Sequence, residues 1–160
     1  MTTPSASSGA YITRDEAARL FEGTPDHVYQ GDIFHSMSLY VPRPGGRLDD
    51  VQGPLMVISH DCEYTKIRHA PSKPLLVAPL RLLSAFSQRQ EIVDGETFAL
   101  WALPREDPLD DEYAVDFRLI QPIAVAELRI DFHWTCLGAE SKEILRARLA
   151  KFLIRAEPKA

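Results

Sequence analysis

A run of reactive side chains directly follows an apolar segment near the middle of the chain. Residues 55–64 read LMVISHDCEY, so the apolar part leads into Ser59, His60, Asp61, Cys62 and Glu63. Imidazole, carboxylate and thiol groups transfer protons, bind metal ions and attack electrophilic centres. The sequence therefore predicts that any chemistry of this protein is found where this strand ends.

Strand geometry separates these residues into two sets. In an extended chain His60 and Cys62 point to one face, and Ser59, Asp61 and Glu63 point to the other. Because neighbouring strand residues diverge, Ser59-His60-Asp61 is not predicted to be a catalytic triad. A Cys62 nucleophile assisted by His60 stays open as an alternative, although the carboxylates on either side disfavour a thiolate.

Two histidine–cysteine pairs suggest a metal site. His60-x-Cys62 and His133-x-x-Cys136 together would supply the two nitrogen and two sulfur ligands of a tetrahedral zinc ion. The alternative is that both cysteines are small buried residues, which is common for free cysteine. Zinc or another divalent metal is thus one expectation.

The carboxylates suggest a different kind of site. Asp61 and Glu63, joined by Asp32 from an earlier strand, would gather oxygen ligands for a divalent ion such as Mg²⁺. The same carboxylates would otherwise pair with nearby cations and form a salt-bridged strand end. A polar pocket at this end makes Asp32, Cys62 and Glu63 the predicted ligand-binding residues.

Length and composition restrict the class of protein. The 160 residues fit one domain, with residues 1–11 predicted as a disordered tail and residues 12–157 as the folded domain. No apolar run approaches the roughly 20 residues that span a bilayer, and the N-terminus lacks the apolar core of a secretory signal. Since two cysteines provide no disulfide framework, a cytoplasmic location without membrane contact is expected.

The charge is unevenly distributed. A net charge of −5 argues against a protein that coats nucleic acid without specificity. Nine acidic residues and one basic residue lie between Glu91 and Asp116, whereas six basic and two acidic residues lie between Lys142 and Lys159. These segments are interpreted as solvated loops and a helix face, or as an acidic loop beside a basic helix that attracts nucleic acid.

Two helices are predicted near the ends of the chain. Residues 13–21 read as a short helix in which Thr13 and Glu16 form a capping box. Residues 140–156 form the clearest helix, and its apolar stripe comprises Ile144, Leu145, Leu149, Phe152 and Leu153.

Five or six short strands are predicted between the helices. The first, GDIFHSMSLYV, alternates so that Ile33, His35 and Met37 share one face. Most connections contain Gly or Pro, and there is no strand–helix–strand alternation. The order predicts a mainly β domain, a small barrel or strongly curved sheet with a short N-terminal helix and a C-terminal helix.

The order of these segments resembles the PemK/MazF toxin family. The matching segments, between Gly31 and Arg155, are GDIF, a Gly-rich loop, GPLMVIS, LLVAPL and a terminal helix. The resemblance implies an SH3-like barrel, a homodimer, an antitoxin as protein partner and endoribonuclease activity on RNA. The matching residues belong to the scaffold: Gly31, Asp32, Pro54, Val57, Ser59 and Pro79.

Two positions depart from the family pattern. Gly53 stands where the family has an arginine that stabilises charge on the phosphate, and Arg81 stands where it has threonine or serine. RNA cleavage would need replacement groups, and His60, Asp61 and Arg81 are the nearest by type. The resemblance therefore predicts a divergent RNA-binding or RNA-cleaving protein. The alternative is a non-catalytic interaction module on the same barrel that binds a protein partner or small ligand.

Overall fold

The computed structural model describes residues 9–21, 27–61, 64 and 73–155. Three α-helices are described over their whole length: α1 (Arg14–Leu20), α2 (Arg89–Val93) and α3 (Ala139–Arg155). Asp61 and Tyr64 are also helical. Within this part of the chain, the helices fall short of the length and apolarity that crossing a bilayer would need.

The start of the domain follows the sequence prediction closely. The capping box of α1 is confirmed, because the Thr13 hydroxyl accepts from the Glu16 N–H and the Glu16 carboxylate accepts from the Thr13 N–H. Residues 1–8 of the predicted tail lie outside the described residues. Tyr11, the last residue of that predicted tail, is buried and belongs to the first strand.

Eight strands form one antiparallel sheet in the described ranges. They are β1 (Tyr11–Ile12), β2 (Asp32–Pro42), β3 (Leu48–Val57), β4 (Pro74–Leu82), β5 (Leu100–Ala102), β6 (Tyr113–Asp116), β7 (Gln121–Ala124) and β8 (His133–Leu137). Their order is β1-β8-β2-β3-β4-β6-β5, and β7 pairs with β4. The predicted mainly β fold with a C-terminal helix is confirmed. As described, the sheet is open, since β1 and β5 at its ends do not pair with each other.

Apolar side chains bury both faces of the central strands. Ile33 and Met56 belong to the cluster that also contains Leu145 of α3. Their neighbours Phe34 and Leu55 belong to a second cluster. Because successive side chains of a strand point to opposite faces, the two clusters lie on opposite sides of β2 and β3.

Helix α3 presents a narrower apolar face than its sequence suggests. Leu145, Leu149 and Phe152 pack on the first cluster, as predicted. Ile144 and Leu153, which were predicted to share that face, are exposed. The prediction for these two residues is wrong because they lie at the two edges of the apolar stripe, about 80–100° around the helix from Leu145 at 100° per residue.

Two β-bulges interrupt the pairing of β2. From Phe34 to Met37, β2 advances three residues, whereas its partner β3 advances two. Ser36, inside this bulge, adopts a positive φ of 58°. Between Ile33 and Phe34, β8 carries one extra residue, Trp134. An extra residue reverses which face the following side chains occupy. The predicted face of His35 is therefore wrong: Phe34 joins Met37 in the core, and His35 is only half-buried.

Candidate functional site

The bulge at Trp134 brings three potential metal ligands onto one face of the sheet. Asp32 pairs with Cys136, and Phe34 pairs with His133, so the extra residue puts His133 in phase with Cys136. The Sγ atom of Cys136 lies 3.4 Å from Nε2 of His133, which lies 3.8 Å from Oδ1 of Asp32. One ligand atom from each residue lies within 4.8 Å of the others.

The cluster is buried and one of its oxygens is unsatisfied. Asp32 is 2% exposed, and its Oδ2 accepts a hydrogen bond of 2.9 Å from the Tyr29 N–H. Its Oδ1 has no hydrogen-bond partner within the described residues. Burial, and then the negative charge of Asp32, raise the pKa of the Cys136 thiol well above its usual range. Both effects favour the neutral thiol, whereas the positive charges of Arg14 and Lys142 act in the opposite direction.

A cavity of about 200 Å³ opens beside this cluster. Asp32 and His133 line it, together with Arg14, His27 and Tyr64. The ring of His133 also packs edge-on against Phe34, with a centroid distance of 5.2 Å. The cluster thus borders a space that admits a small molecule or water.

The predicted zinc set is assembled only in part. His133 and Cys136 meet, as the prediction requires. His60 lies in an exposed position after β3, and Cys62 lies outside the described residues. Asp32 takes part instead, and it was predicted only as a ligand for a different site. Its pairing with Cys136 joins residues that are about a hundred positions apart, and no local pattern in the sequence indicates such a contact.

Asp61 is engaged in an ion pair with helix α3. Its two carboxylate oxygens lie 3.0 and 2.8 Å from Nζ of Lys142, whose side chain is 3% exposed. Asp61 also accepts from the Gln30 N–H at 2.7 Å, and Arg146 approaches it at 3.7 Å. These contacts fit the structural alternative of a salt-bridged strand end. Glu63, the other carboxylate of the predicted ligand set, lies outside the described residues.

Arg81 belongs to a separate charged cluster around Asp116. The Asp116 side chain is fully buried and lies 3.2 Å from Arg81 and 2.9 Å from Arg118. Its hydrogen bonds to Arg118 raise the pKa of that guanidinium. The Arg81 guanidinium also lies over the ring of Phe86, 4.8 Å from its centroid. Two cations share one carboxylate, so the cluster carries a net positive charge.

Two adjoining grooves cross the sheet next to Arg81. The aromatic groove, of about 430 Å³, is lined by His35, Ser36, Gln52, Gly53, Pro54, Pro108, Asp110, Tyr113 and Trp134. The Arg81 groove, of about 370 Å³, contains Arg81 and apolar residues of β2–β4, and it shares Gln52, Gly53, Pro54 and Tyr113 with the aromatic groove. The shared residues make the two grooves one continuous surface.

The aromatic groove is bordered by both bulges of β2. The Trp134 ring packs edge-on against Tyr113 at 5.8 Å and against His35 at 6.2 Å. Nδ1 of His35 lies 3.2 Å from the Ser36 hydroxyl. A non-glycine residue with positive φ is strained, and such strain is concentrated at functional sites. These residues were not among the predicted site residues, because a bulge has no reliable sequence signal.

Comparison with known proteins adds no family assignment. No family model matches the chain, and no curated protein matches it in sequence.

Proposed function

We propose that this chain is a divergent PemK/MazF-like protein that binds single-stranded RNA along the aromatic and Arg81 grooves. One observation carries the proposal. The continuous surface of the two grooves contains Gly53 and Arg81, the two positions at which the family resemblance places RNA chemistry. The proposal includes the SH3-like barrel, homodimer, antitoxin-like partner and cytoplasmic location that the resemblance implies.

The chemistry of the grooves suits a single strand. Tyr113 and Trp134 supply half-buried aromatic rings at one end, and stacking of a base on such a ring contributes about 1–3 kcal/mol. Arg81 supplies a guanidinium at the other end, and that group pairs with phosphate in a bidentate manner. The net charge of −5 disfavours general nucleic-acid binding, but Arg81 would provide a local positive charge for one phosphate.

A second candidate is a non-catalytic interaction module on the same sheet. The ion pair between Asp61 and Lys142 favours it. A carboxylate that accepts three hydrogen bonds, from the Gln30 N–H and from Lys142, is poorly placed to accept a proton from a substrate. Arg81 is likewise held by Asp116. Of the predicted catalytic residues, two thus have structural partners. Within the RNA proposal, the protein is therefore expected to bind RNA and to cleave it slowly, if at all.

RNA binding is tested with a fluorescently labelled single-stranded RNA of mixed sequence. Fluorescence anisotropy would compare the native chain with Arg81→Gln and Trp134→Leu, each expected to weaken binding about tenfold through the loss of a phosphate or stacking contact. Arg19→Gln is the matched control, because it removes one exposed charge from α1, away from the grooves. Equal affinities for all four proteins, or no binding by the native chain, would refute the RNA proposal.

Cleavage is measured on the same RNA by gel electrophoresis, with and without added divalent metal. Shortened products that disappear in Arg81→Gln would identify an endoribonuclease. Intact RNA together with groove-dependent binding would identify a non-catalytic module.

A further inference from the structure

We infer that Asp32, His133 and Cys136 form a binding site for a divalent metal ion, and that zinc is the ion best suited to it. The site lies at the junction of β2 and β8. None of its three ligands is a residue on which the RNA proposal rests, although Trp134 of the aromatic groove lies between His133 and Cys136 in β8. It differs from the set predicted from the sequence, because Asp32 provides a ligand and His60 does not belong to the cluster.

Two of the three ligand separations are close to the values of tetrahedral coordination, and the third is no more than 4.8 Å. With zinc–sulfur bonds of about 2.3 Å and zinc–nitrogen or zinc–oxygen bonds of about 2.0–2.1 Å, tetrahedral ligands lie roughly 3.3–3.6 Å apart. The observed separations are 3.4 Å from Cys136 Sγ to His133 Nε2, and 3.8 Å from that nitrogen to Asp32 Oδ1. Small side-chain adjustments would therefore be enough to bind an ion.

The ligands are held in place by neighbouring groups. The Tyr29 N–H fixes Oδ2 of Asp32, which leaves Oδ1 of this carboxylate directed toward His133 without a hydrogen-bond partner in the described residues. The edge-on contact with Phe34 fixes the plane of the His133 ring. Such supporting contacts set the orientation of ligands in metal sites. A buried carboxylate oxygen without a hydrogen-bond partner calls for an explanation, and a cation bound between Asp32, His133 and Cys136 would provide one.

The donor types select among metals. A thiolate and an imidazole favour zinc and other transition metals, whereas Mg²⁺ and Ca²⁺ prefer sites made of oxygen ligands. One thiolate and one carboxylate would together balance the charge of a divalent ion. Binding of the ion would release the thiol proton to solvent, and the positive charge of the ion would offset the cost of a buried Cys136 thiolate.

The fourth coordination position would face the cavity. Three protein ligands with one open position are typical of catalytic zinc sites. Asp32 and His133 line the cavity of about 200 Å³, and Arg14 lies on its wall. The arginine favours water, hydroxide or a small anion such as a carboxylate as the fourth ligand.

Cobalt spectroscopy tests this inference. The chain contains two cysteines, so a Cys62→Ser protein retains Cys136 as its only thiol. Purified without a metal-affinity tag and stripped with a chelator, this protein would be titrated with Co²⁺. We expect about one equivalent to bind, with thiolate-to-cobalt charge-transfer absorption and the visible bands of a tetrahedral ion, and Zn²⁺ to displace it. No charge-transfer absorption would overturn the site.

Variants assign the other two ligands. Asp32→Asn and His133→Gln in the Cys62→Ser background are expected to weaken Co²⁺ binding at least tenfold, whereas His35→Asn, which alters a histidine outside the cluster, should leave the bands unchanged. Circular dichroism of the metal-free proteins establishes that each one is folded. If either ligand variant folds and retains native Co²⁺ affinity, the site is overturned.

Failure of this inference is distinguishable from failure of the RNA proposal. Arg81→Gln should bind Co²⁺ like its parent, because Arg81 lies outside the metal cluster. Loss of the cobalt bands in that variant would contradict a site made by Asp32, His133 and Cys136 alone.

Discussion

Nζ of Lys142 lies 2.8 Å from Oδ2 of Asp61, and this contact joins helix α3 to the segment that follows β3. The same ammonium lies 3.8 Å above the ring centroid of Phe21. A lysine that is almost fully buried thus has a carboxylate on one side and an aromatic face on the other. A stretch of sequence that suggested catalysis therefore contributes to the attachment of a helix.

Asp61→Asn is expected to lower the free energy of unfolding by about 2 kcal/mol, because it leaves the buried Lys142 without a countercharge. Urea denaturation of native and variant proteins measures the difference. Asp131→Asn is the matched control: it breaks an ion pair with Arg129 whose two side chains are 75% and 64% exposed, and such pairs contribute less than about 1 kcal/mol. Similar losses in both variants would contradict the structural role of Asp61.

Asp116 is expected to matter more for stability than Arg81. Asp116→Ala should cost about 3 kcal/mol, because it removes the shared, fully buried partner of Arg81 and Arg118. Arg81→Gln should cost about 1 kcal/mol, because two hydrogen bonds of 2.9 Å from Arg118 continue to satisfy the carboxylate. Thermal denaturation of both variants checks the order. The reverse order would show that Arg81 is the main partner of Asp116.

Ser36→Gly is expected to stabilise the protein by about 0.5–1 kcal/mol. Ser36 adopts a φ of 58°, which glycine reaches without the steric strain of a side chain. Ser38→Gly, two residues along β2 and also exposed, should instead destabilise it by about 0.5–1 kcal/mol, because glycine weakens a regular strand. The denaturation midpoint should rise in Ser36→Gly and fall in Ser38→Gly. A shift in the same direction in both variants would argue against a strained bulge at Ser36.

Stability is expected to fall at alkaline pH through Tyr11. Burial, and then the charge of Glu106, raise the pKa of the Tyr11 hydroxyl, which donates a 2.6 Å hydrogen bond to the Pro104 carbonyl. Because the folded-state pKa exceeds the unfolded value of about 10, this stabilisation is complete below pH 10 and is lost as the pH rises above it.

The measurement for Tyr11 is the urea midpoint at pH 8, 9.5 and 10.5. Tyr11→Phe is expected to lower the midpoint at pH 8, because the hydrogen bond is gone, and to show a smaller decline toward pH 10.5 than the native chain. Parallel declines in the two proteins would mean that other groups cause the alkaline loss.

Local patterns in the sequence predicted the local structure. The capping box of α1 could be predicted from Thr13 and Glu16, because its partners are three residues apart. The mainly β fold could be predicted from alternating strands and turn residues. In α3 the residues Leu145 and Phe152 were correctly predicted to be apolar contacts, but the width of the buried face depends on the surface beneath the helix.

The site required information that local patterns do not contain. A single extra residue at Trp134 decides that His133 and Cys136 share a face, and another near Ser36 puts Met37 in the cluster of Phe34 instead of that of Ile33. A prediction that assumes strictly alternating strand faces cannot include either extra residue. Asp32 was predicted as a ligand, but its proximity to His133 and Cys136 was not predicted, since the pairing of β2 with β8 joins distant parts of the chain.

The distance along the chain between β2 and β8 also has a consequence for biosynthesis. The ribosome completes Asp32 about a hundred residues before His133 and Cys136, a delay of roughly 5–20 s at usual elongation rates. Once β3 has been synthesised, β2 has a partner for one of its two edges. Its other edge stays unpaired until β8 has been synthesised. Any ion that requires all three ligands can enter only after translation of this part is complete.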